Sequence, residues 1–547
     1  MSKTKNSFSA FLLAVLLAEL GASRAQTVQI QDEKIGPVAG VTAAQLKDYL
    51  SFVASDEMAG RDTPSHGLRT TALFLAAHLS RWGFKPIGDH GTYFQNIALR
   101  HATVDPRATF ARLGDQRFEH GEDFLAQPAA GTANAALVYV NQCWTVKNKK
   151  IFPDDSITVR NKIIVTHAGY PPGAGFFDFY KKTDGVDYQS PQVYARRRGA
   201  LGLVFIPSFH ELSTWPQAYR KAVVTGETVV EKFSPPPGVV LPAITAGLPM
   251  LTAIFKGELE SAAVIFRRAL VEDEELIASF VLNPDKKLSL SVAVQTASES
   301  TQNVVAVLEG GDSKLKNEYV AIGAHYDHVG IGAAVAGDSI YNGADDDGSG
   351  TVAMLAMAEA LSQGPRPKRS LLFVWHAGEE QGLWGSKYFV EYPLIPLARI
   401  IAQLNLDMIG RSRKPGDSNP ANAHLSGANE IYVIGSRMMS TQLGALSERV
   451  NQSYLNLAFN YKYDDPHDPN RFFFRSDHYH YARKGIPIIF YFDGVHEDYH
   501  KPSDHVEKID FEKMEKVTRT ILATAWELAN RPKRPAIDKE LPEALAE

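Results

Sequence analysis

Two histidines and a group of carboxylates, spread over the second half of a 547-residue chain, are of the types that hold metal ions and move protons. His325-Tyr326-Asp327 closes an apolar run, and because alternate strand residues face the same way, Asp327 can orient the ring of His325. Taken alone, this pair suits a surface turn as well as it suits a ligand pair. Asn342-Gly343-Ala344-Asp345-Asp346-Asp347-Gly348-Ser349-Gly350 sets three carboxylates side by side. A cation relieves their mutual repulsion most simply, and the flanking glycines let the backbone bend tightly. The Asp-x-Asp-x-Asp-Gly spacing of a calcium loop is absent, and an acidic solvated turn is the plain alternative. Glu379 and Glu380 follow a further apolar run, where neighbouring carboxylates can divide labour between binding metal and taking a proton from water. Asp407 closes Asn405-Leu406-Asp407-Met408, and His500 stands in Tyr499-His500-Lys501-Pro502-Ser503-Asp504. Each fits a turn or a helix cap by itself. Chance explains the set poorly, because it comes at the ends of apolar runs in one half of the chain.

The elements that must position these residues are legible from periodicity. Runs at 319–324, 371–375, 400–406, 431–434 and 486–491 are short, apolar and rich in β-branched or aromatic residues, as strands covered on both faces are. Helical patterns lie at 352–361 and 508–529. Together they predict an α/β domain with a mostly parallel central sheet, which places ligands beyond the carboxyl ends of its strands. From 42 to about 99 the spacing predicts helix, read as two amphipathic helices. Between about 124 and 270 the texture changes to short apolar runs at 137–140, 162–166, 201–206 and 241–245, punctuated by Pro171-Pro172-Gly173 and Pro235-Pro236-Pro237-Gly238. That predicts a β-rich module inserted into the larger fold. The expected division is 26–123 and 286–535 for the α/β domain, 124–285 for the insert and 536–547 for a tail.

Bulk properties narrow the function. A formal net charge of -5 offers no basic field for a nucleic-acid backbone, so nucleic acid is not an expected partner. Cys143 is the only cysteine, which excludes an intrachain disulfide and a cysteine-rich metal site; the strand-like run before it makes it a small buried residue. Lys3 and Lys5, an apolar run at 8–20 and Ser23-Arg24-Ala25 have the layout of a secretory signal peptide over 1–25, with Gln26 as the expected mature start. The run is too short to span a bilayer, and no later segment is long and apolar enough. The expected product is periplasmic or secreted, with no membrane span in its mature form.

Jointly, His325-x-Asp327, Asn342 through Gly350, Gly378-Glu379-Glu380-Gln381-Gly382-Leu383-Trp384-Gly385-Ser386, Asn405-Leu406-Asp407-Met408 and Tyr499-His500-Lys501-Pro502-Ser503-Asp504 resemble the co-catalytic zinc exopeptidases. That superfamily includes leucyl aminopeptidases, glutamate carboxypeptidases and glutaminyl cyclases. The resemblance covers roughly 302–530, with a looser likeness around Glu57-Met58-Ala59-Gly60-Arg61. Asn161-Lys162-Ile163-Ile164-Val165 and the stretch 195–206 resemble a protease-associated domain.

The resemblance implies a three-layer zinc-exopeptidase fold with two zinc ions, although manganese or cobalt would suit the same ligand types. By carry-over, His325 and Asp407 hold one ion, Glu380 and His500 the other, and Asp346 bridges them. Asp346 is chosen because it stands four residues before Gly350, as the bridging residue does in the family motif. Glu379 is implied as general base and Tyr499 as donor to the tetrahedral intermediate. Arg475, in Arg475-Ser476-Asp477-His478, falls at a substrate-contacting position, and His478 is a further metal-capable residue nearby. The implied activity is an aminopeptidase acting on peptides or proteins with a free N-terminus. Alternatives are a carboxypeptidase or dipeptidase, a glutaminyl cyclase with a single zinc, and a receptor-like binding protein that has lost catalysis.

Overall fold

The computed structural model describes residues 35–179, 184–234, 240–268 and 277–542; the expected signal peptide and the Pro235 to Gly238 turn lie outside them. The chain forms two compact units, one from residues up to 97 and from 300 onward, the other from 98–299.

The first unit is a mixed α/β assembly. Its elements are α1 (Ala43–Val53), α2 (His66–Arg81), β1 (Val294–Leu308), β2 (Tyr319–His325), α3 (Gly350–Gln363), β3 (Ser370–His376), α4 (Trp384–Glu391), β4 (Ile400–Leu406), β5 (Glu430–Ile434), α5 (Thr441–Ser453), β6 (Ala458–Asn460), α6 (His478–Arg483), β7 (Ile488–Phe492) and α7 (Phe511–Asn530). The sheet contains the run β6-β5-β7-β4-β2-β3-β1. The pairs β2/β3, β2/β4 and β4/β7 are parallel, whereas β1 on β3 and β5 on β7 are antiparallel. Residues 320–325, 370–376 and 400–406 are buried throughout, as strands with both faces covered must be.

Helix boundaries follow local chemistry. Thr42 and Gln45 close a capping box on α1, Ser65 caps α2, and the Asp510 side chain accepts from the amide of Lys513 at the start of α7. The helical expectation for 42 to about 99 holds only to Arg81, since Phe94–Val104 is a strand. Gln95, Ile97 and Leu99 are buried while Asn96 and Ala98 are exposed, a period of two that the helical reading overlooked.

Two features fix the loops that matter. Gly348 lies against α1 so closely that a Cβ there would sit 2.7 Å from Leu50 Cδ1. Arg61 is fully buried and donates to the carbonyls of Val53 (2.7 Å), Tyr326 (2.9 Å), Asn342 (2.7 Å) and Gly343 (2.9 Å). A buried guanidinium needs such partners, and its fork ties the end of α1 to the loops after β2 and before α3.

The second unit has its own sheet, in the order Gln116–Glu119, Phe110–Leu113, Lys287–Val292, Gly131–Tyr139, Ile163–His167, Gly202–Ile206, Ala243–Ala246 and Phe124–Ala126. Gly131–Tyr139, Ile163–His167, Gly202–Ile206 and Ala243–Ala246 run parallel. Helices Pro191–Arg198 and Leu248–Phe255 accompany them, so the unit is mixed rather than purely β-rich. It is also wider than the expected 124–285, because Phe110–Leu113 pairs with Lys287–Val292. Cys143 is buried, and burial pushes its thiol up to about 12, consistent with a packing role. Among the described residues no helix is long and apolar enough to cross a membrane.

Candidate metal centre and active site

The carboxyl ends of β2, β3 and β4 release the chain at His325, His376 and Leu406, and the loops beyond them converge with the loop before α3 and with the turn that carries His500. His325 Nδ1 faces the Asp327 carbonyl oxygen at 3.2 Å. That contact leaves Nε2 to point inward, 3.3 Å from Asp346 Oδ1 and 3.6 Å from Asp407 Oδ1. The Asp327 carboxylate was expected to orient the ring; it lies 3.8 Å from Nδ1, and its backbone carbonyl makes the contact instead. The carboxylate accepts from the amides of Glu379 (3.2 Å) and Glu380 (3.4 Å) and so sets the loop that carries both glutamates. Burial is the main cause that raises Asp327 to about 7, with His325 opposing it.

The three adjacent aspartates have separate tasks. Asp345 Oδ1 accepts from the Gly410 amide at 2.7 Å, and its Oδ2 faces His496 Nε2 at 3.2 Å. Asp347 accepts from the amides of Gly350 (2.9 Å) and Met408 (3.1 Å) through Oδ1 and from the His325 amide (3.2 Å) through Oδ2. It thereby anchors the start of α3. Asp346 turns one oxygen to His325 and the other to His500 Nε2, 3.1 Å away. The amide of Asp346 is in turn held by Asp504 Oδ2 at 3.2 Å.

Glu380 Oε2 lies 3.1 Å from His500 Nε2, and its Oε1 lies 2.8 Å from His328 Nδ1. Two donor groups result, each with its ligand atoms within 4.8 Å of one another: His328, Asp346, Glu380 and His500 in one, His325, Asp347 and Asp407 in the other. His325, Asp346, Glu380, Asp407 and His500 are thus brought together, with Asp346 reaching both sides. His328 is a residue that sequence reasoning missed. Its signal was the fourth residue of His325-Tyr326-Asp327-His328, one step beyond the motif considered. His478 lies outside both groups and stacks on Phe490, ring centroids 4.5 Å apart.

The field around these groups is strongly negative. Burial alone would lower the His500 imidazole, yet Asp346 and Glu380 carry it up to about 11. Burial and Asp346 raise Glu380, while contacts with His328 and His500 bring it down to about 2. Burial pushes Glu379 well above the usual carboxylate range, with His325 opposing and Glu380 reinforcing the shift. A field that holds protons on imidazoles so firmly also favours divalent cations in their place. Buried atoms support the fit, since His328 Nδ1, Asp346 Oδ2, Glu380 Oε1 and His500 Nε2 have no hydrogen-bond partner among the described residues. Nitrogen and carboxylate donors without sulfur suit zinc, and two such groups, with Asp346 facing both His325 and His500, accommodate two ions.

A cleft opens beside this cluster. Its polar wall includes Asp346, Glu379, Asp407 and Tyr499, and its apolar wall Met408, Phe472, Phe490, Phe492 and Val495. Arg475, also in the lining, donates to the Tyr499 hydroxyl at 3.1 Å. Tyr499 and His500 stack with ring centroids 4.0 Å apart, which couples the hydroxyl's position to the neighbouring imidazole.

Residues 303–525 match peptidase family M28. Over 228 residues the chain is 28% identical to Leucine aminopeptidase 2 of Trichophyton equinum, covering 41% of this chain and 40% of that protein. Over 272 residues it is 26% identical to Aminopeptidase YwaD of Bacillus subtilis strain 168, covering 48% and 52% respectively. The chain therefore spans about two fifths of the length of the first of these curated relatives. Among solved structures, an aminopeptidase from Aneurinibacillus sp. strain AM-1 covers 93% of this chain and 98% of its own, with a TM-score of 0.50 and 18% identity, a likeness of fold.

Proposed function

We propose that this chain, whose residues 303–525 match peptidase family M28, is a zinc-dependent exopeptidase, specifically an aminopeptidase that hydrolyses the N-terminal peptide bond. The observation that carries this reading is the convergence of His325, Asp346 and Asp407 with Glu380 and His500 beside a cleft that also holds Glu379 and Tyr499.

Two zinc ions on these donors would supply an acidified water for attack near neutral pH and a polarised scissile carbonyl. Glu379 takes the proton that the water gives up and returns it to the departing amine. Its burial, which raises its proton affinity, suits it to both transfers. The Tyr499 hydroxyl accepts from Arg475 and has its own hydrogen free to donate to the oxyanion as the carbonyl is attacked. Asp327 holds the amides of Glu379 and Glu380, so it positions the base without touching substrate. The carboxylate-rich wall favours a substrate ammonium group, and the Phe472, Phe490 and Phe492 wall favours an apolar side chain on the terminal residue.

The same reading takes residues 1–25 as a leader that exports the chain to the periplasm or medium, and the 98–299 unit as a protease-associated insert. The test is hydrolysis of aminoacyl and N-acylated dipeptide substrates by the purified protein, with and without chelator. Cleavage of leucyl and phenylalanyl substrates with free amino ends, abolished by chelation and restored by zinc, is expected. Cleavage confined to blocked amino ends would replace the aminopeptidase reading with a carboxypeptidase one, and activity after complete metal removal would end the zinc mechanism.

A further inference from the structure

His328 stands in one of the two donor groups but in none of the ligand roles carried over from the family, and the fold builds a seat for it. Its backbone N–H donates to the Arg61 carbonyl at 3.1 Å, on the residue whose guanidinium braces the surrounding loops. Gly343, at φ +58°, lies so close that a Cβ there would sit 2.5 Å from His328 Cγ and 2.6 Å from Cδ2. The absence of a side chain at 343 leaves room both for the ring and for the Asp346 carbonyl, which a Cβ would meet closer still. On its other side the ring meets His500 edge to face, with centroids 5.5 Å apart.

A buried imidazole ordinarily has a hydrogen-bond partner for each nitrogen. His328 is fully buried, and among the described residues neither ring nitrogen has one. Nδ1 approaches Glu380 Oε1 to 2.8 Å and Asp346 Oδ2 to 3.8 Å, while His500 Nε2 stands 3.1 Å from each of Asp346 Oδ2 and Glu380 Oε2. Donors bonded at roughly 2.0–2.2 Å in a tetrahedral zinc site lie about 3.3 Å from one another, the middle of this range. Imidazole nitrogens and carboxylate oxygens from four residues, gathered within 4.8 Å of one another at spacings that match zinc donors, make a seat for a cation.

We propose that His328 is a direct ligand of the ion on the Glu380 and His500 side, so that this ion has four protein donors whereas the ion on the His325 and Asp407 side has three. The inference rests on the dinuclear reading above and adds an asymmetry to it. A site with four protein ligands is closed, and one with three keeps a position for water or substrate. The Glu380 side therefore retains its ion and fixes Asp346, and the Asp407 side exchanges its ion more readily.

X-ray absorption at the zinc edge on the wild-type holoenzyme requires no variant: three imidazoles per two zinc ions are expected, and two would overturn the proposal. Calorimetric titration of zinc into metal-free protein should resolve a tighter and a weaker site. In His328→Ala the tighter site should weaken by about 10–100-fold or more, with the imidazole count falling to two. Circular dichroism of the metal-free variant checks that the fold persists. Wild type with two ions and two imidazoles, together with unchanged affinity in His328→Ala, would refute the assignment of His328 alone. A wild type that binds fewer than two ions would refute the dinuclear reading itself.

Discussion

The two sides of the proposed metal centre differ in how the chain delivers them. On one side His325 and Asp407 leave adjacent parallel strands, with side chains 1% and 10% exposed, and their positions are fixed by sheet register. On the other, Glu380 and His500 come from loops, and the His500 side chain is 37% exposed. Asp346 joins them through a loop held by Arg61, Leu50 and Asp504. The difference teaches that half of the centre is placed by the sheet and half by a hydrogen-bonded scaffold of loops, so the halves should respond differently to perturbation.

The shared residue offers the severest break. Asp346→Ala removes a donor from both sides, and turnover is expected to fall on the order of 10⁴-fold or more, with zinc content by plasma emission dropping below two ions per chain. Loss of a single ion with substantial turnover would show that the sides are independent. Glu379→Gln separates chemistry from ligation: kcat should fall by about 10²–10⁴-fold while both ions remain bound. Unchanged kcat would remove Glu379 from its role as base.

The smallest expected effect concerns the loop side. Arg411, Lys508 and Ser503 engage Asp498, two residues before His500. Burial alone would raise its carboxyl, but these contacts lower it from 3.8 to about 2. A depressed folded-state value contributes stability above the unfolded value and loses it as pH falls through the folded one. Chemical denaturation should therefore show wild type losing this increment between about pH 4 and pH 2. Asp498→Asn should be less stable at neutral pH and nearly flat through that window. An identical pH profile for the two proteins would mean that these three contacts contribute nothing to the turn.

Much of the first side was legible in sequence because strand ends announce themselves: β2 and β4 end within a residue of His325 and Asp407, where the apolar runs stop. The choice of Asp346 among three aspartates rested on spacing; in the structure Asp346 is the one whose two oxygens face His325 and His500, while Asp345 and Asp347 accept from backbone amides and Asp347 also stands in the His325 and Asp407 group. What stayed hidden depends on contacts distant in sequence. The role of the Asp327 carboxylate follows from amides 52 and 53 residues away, and strand alternation misplaced it because the strand ends at His325. His328 escaped for a related reason, since only the glycine opening at 343 reveals that the ring has a seat. The extent of the second unit was invisible locally, being set by the pairing of Phe110–Leu113 with Lys287–Val292.

His500 is held at φ +53°, in the left-handed region where a side chain other than glycine's costs roughly 1–2 kcal/mol. The turn from Asp498 to Lys501 enforces that shape whatever residue occupies the position. Replacing the histidine by glycine would thus leave the backbone trace at ease while vacating a solvent-accessible socket at the rim of the centre. A free imidazole from the buffer has the size and the lone pair to fill it, so this corner of the protein is open to chemical rescue in a way that the sheet-borne corner is not.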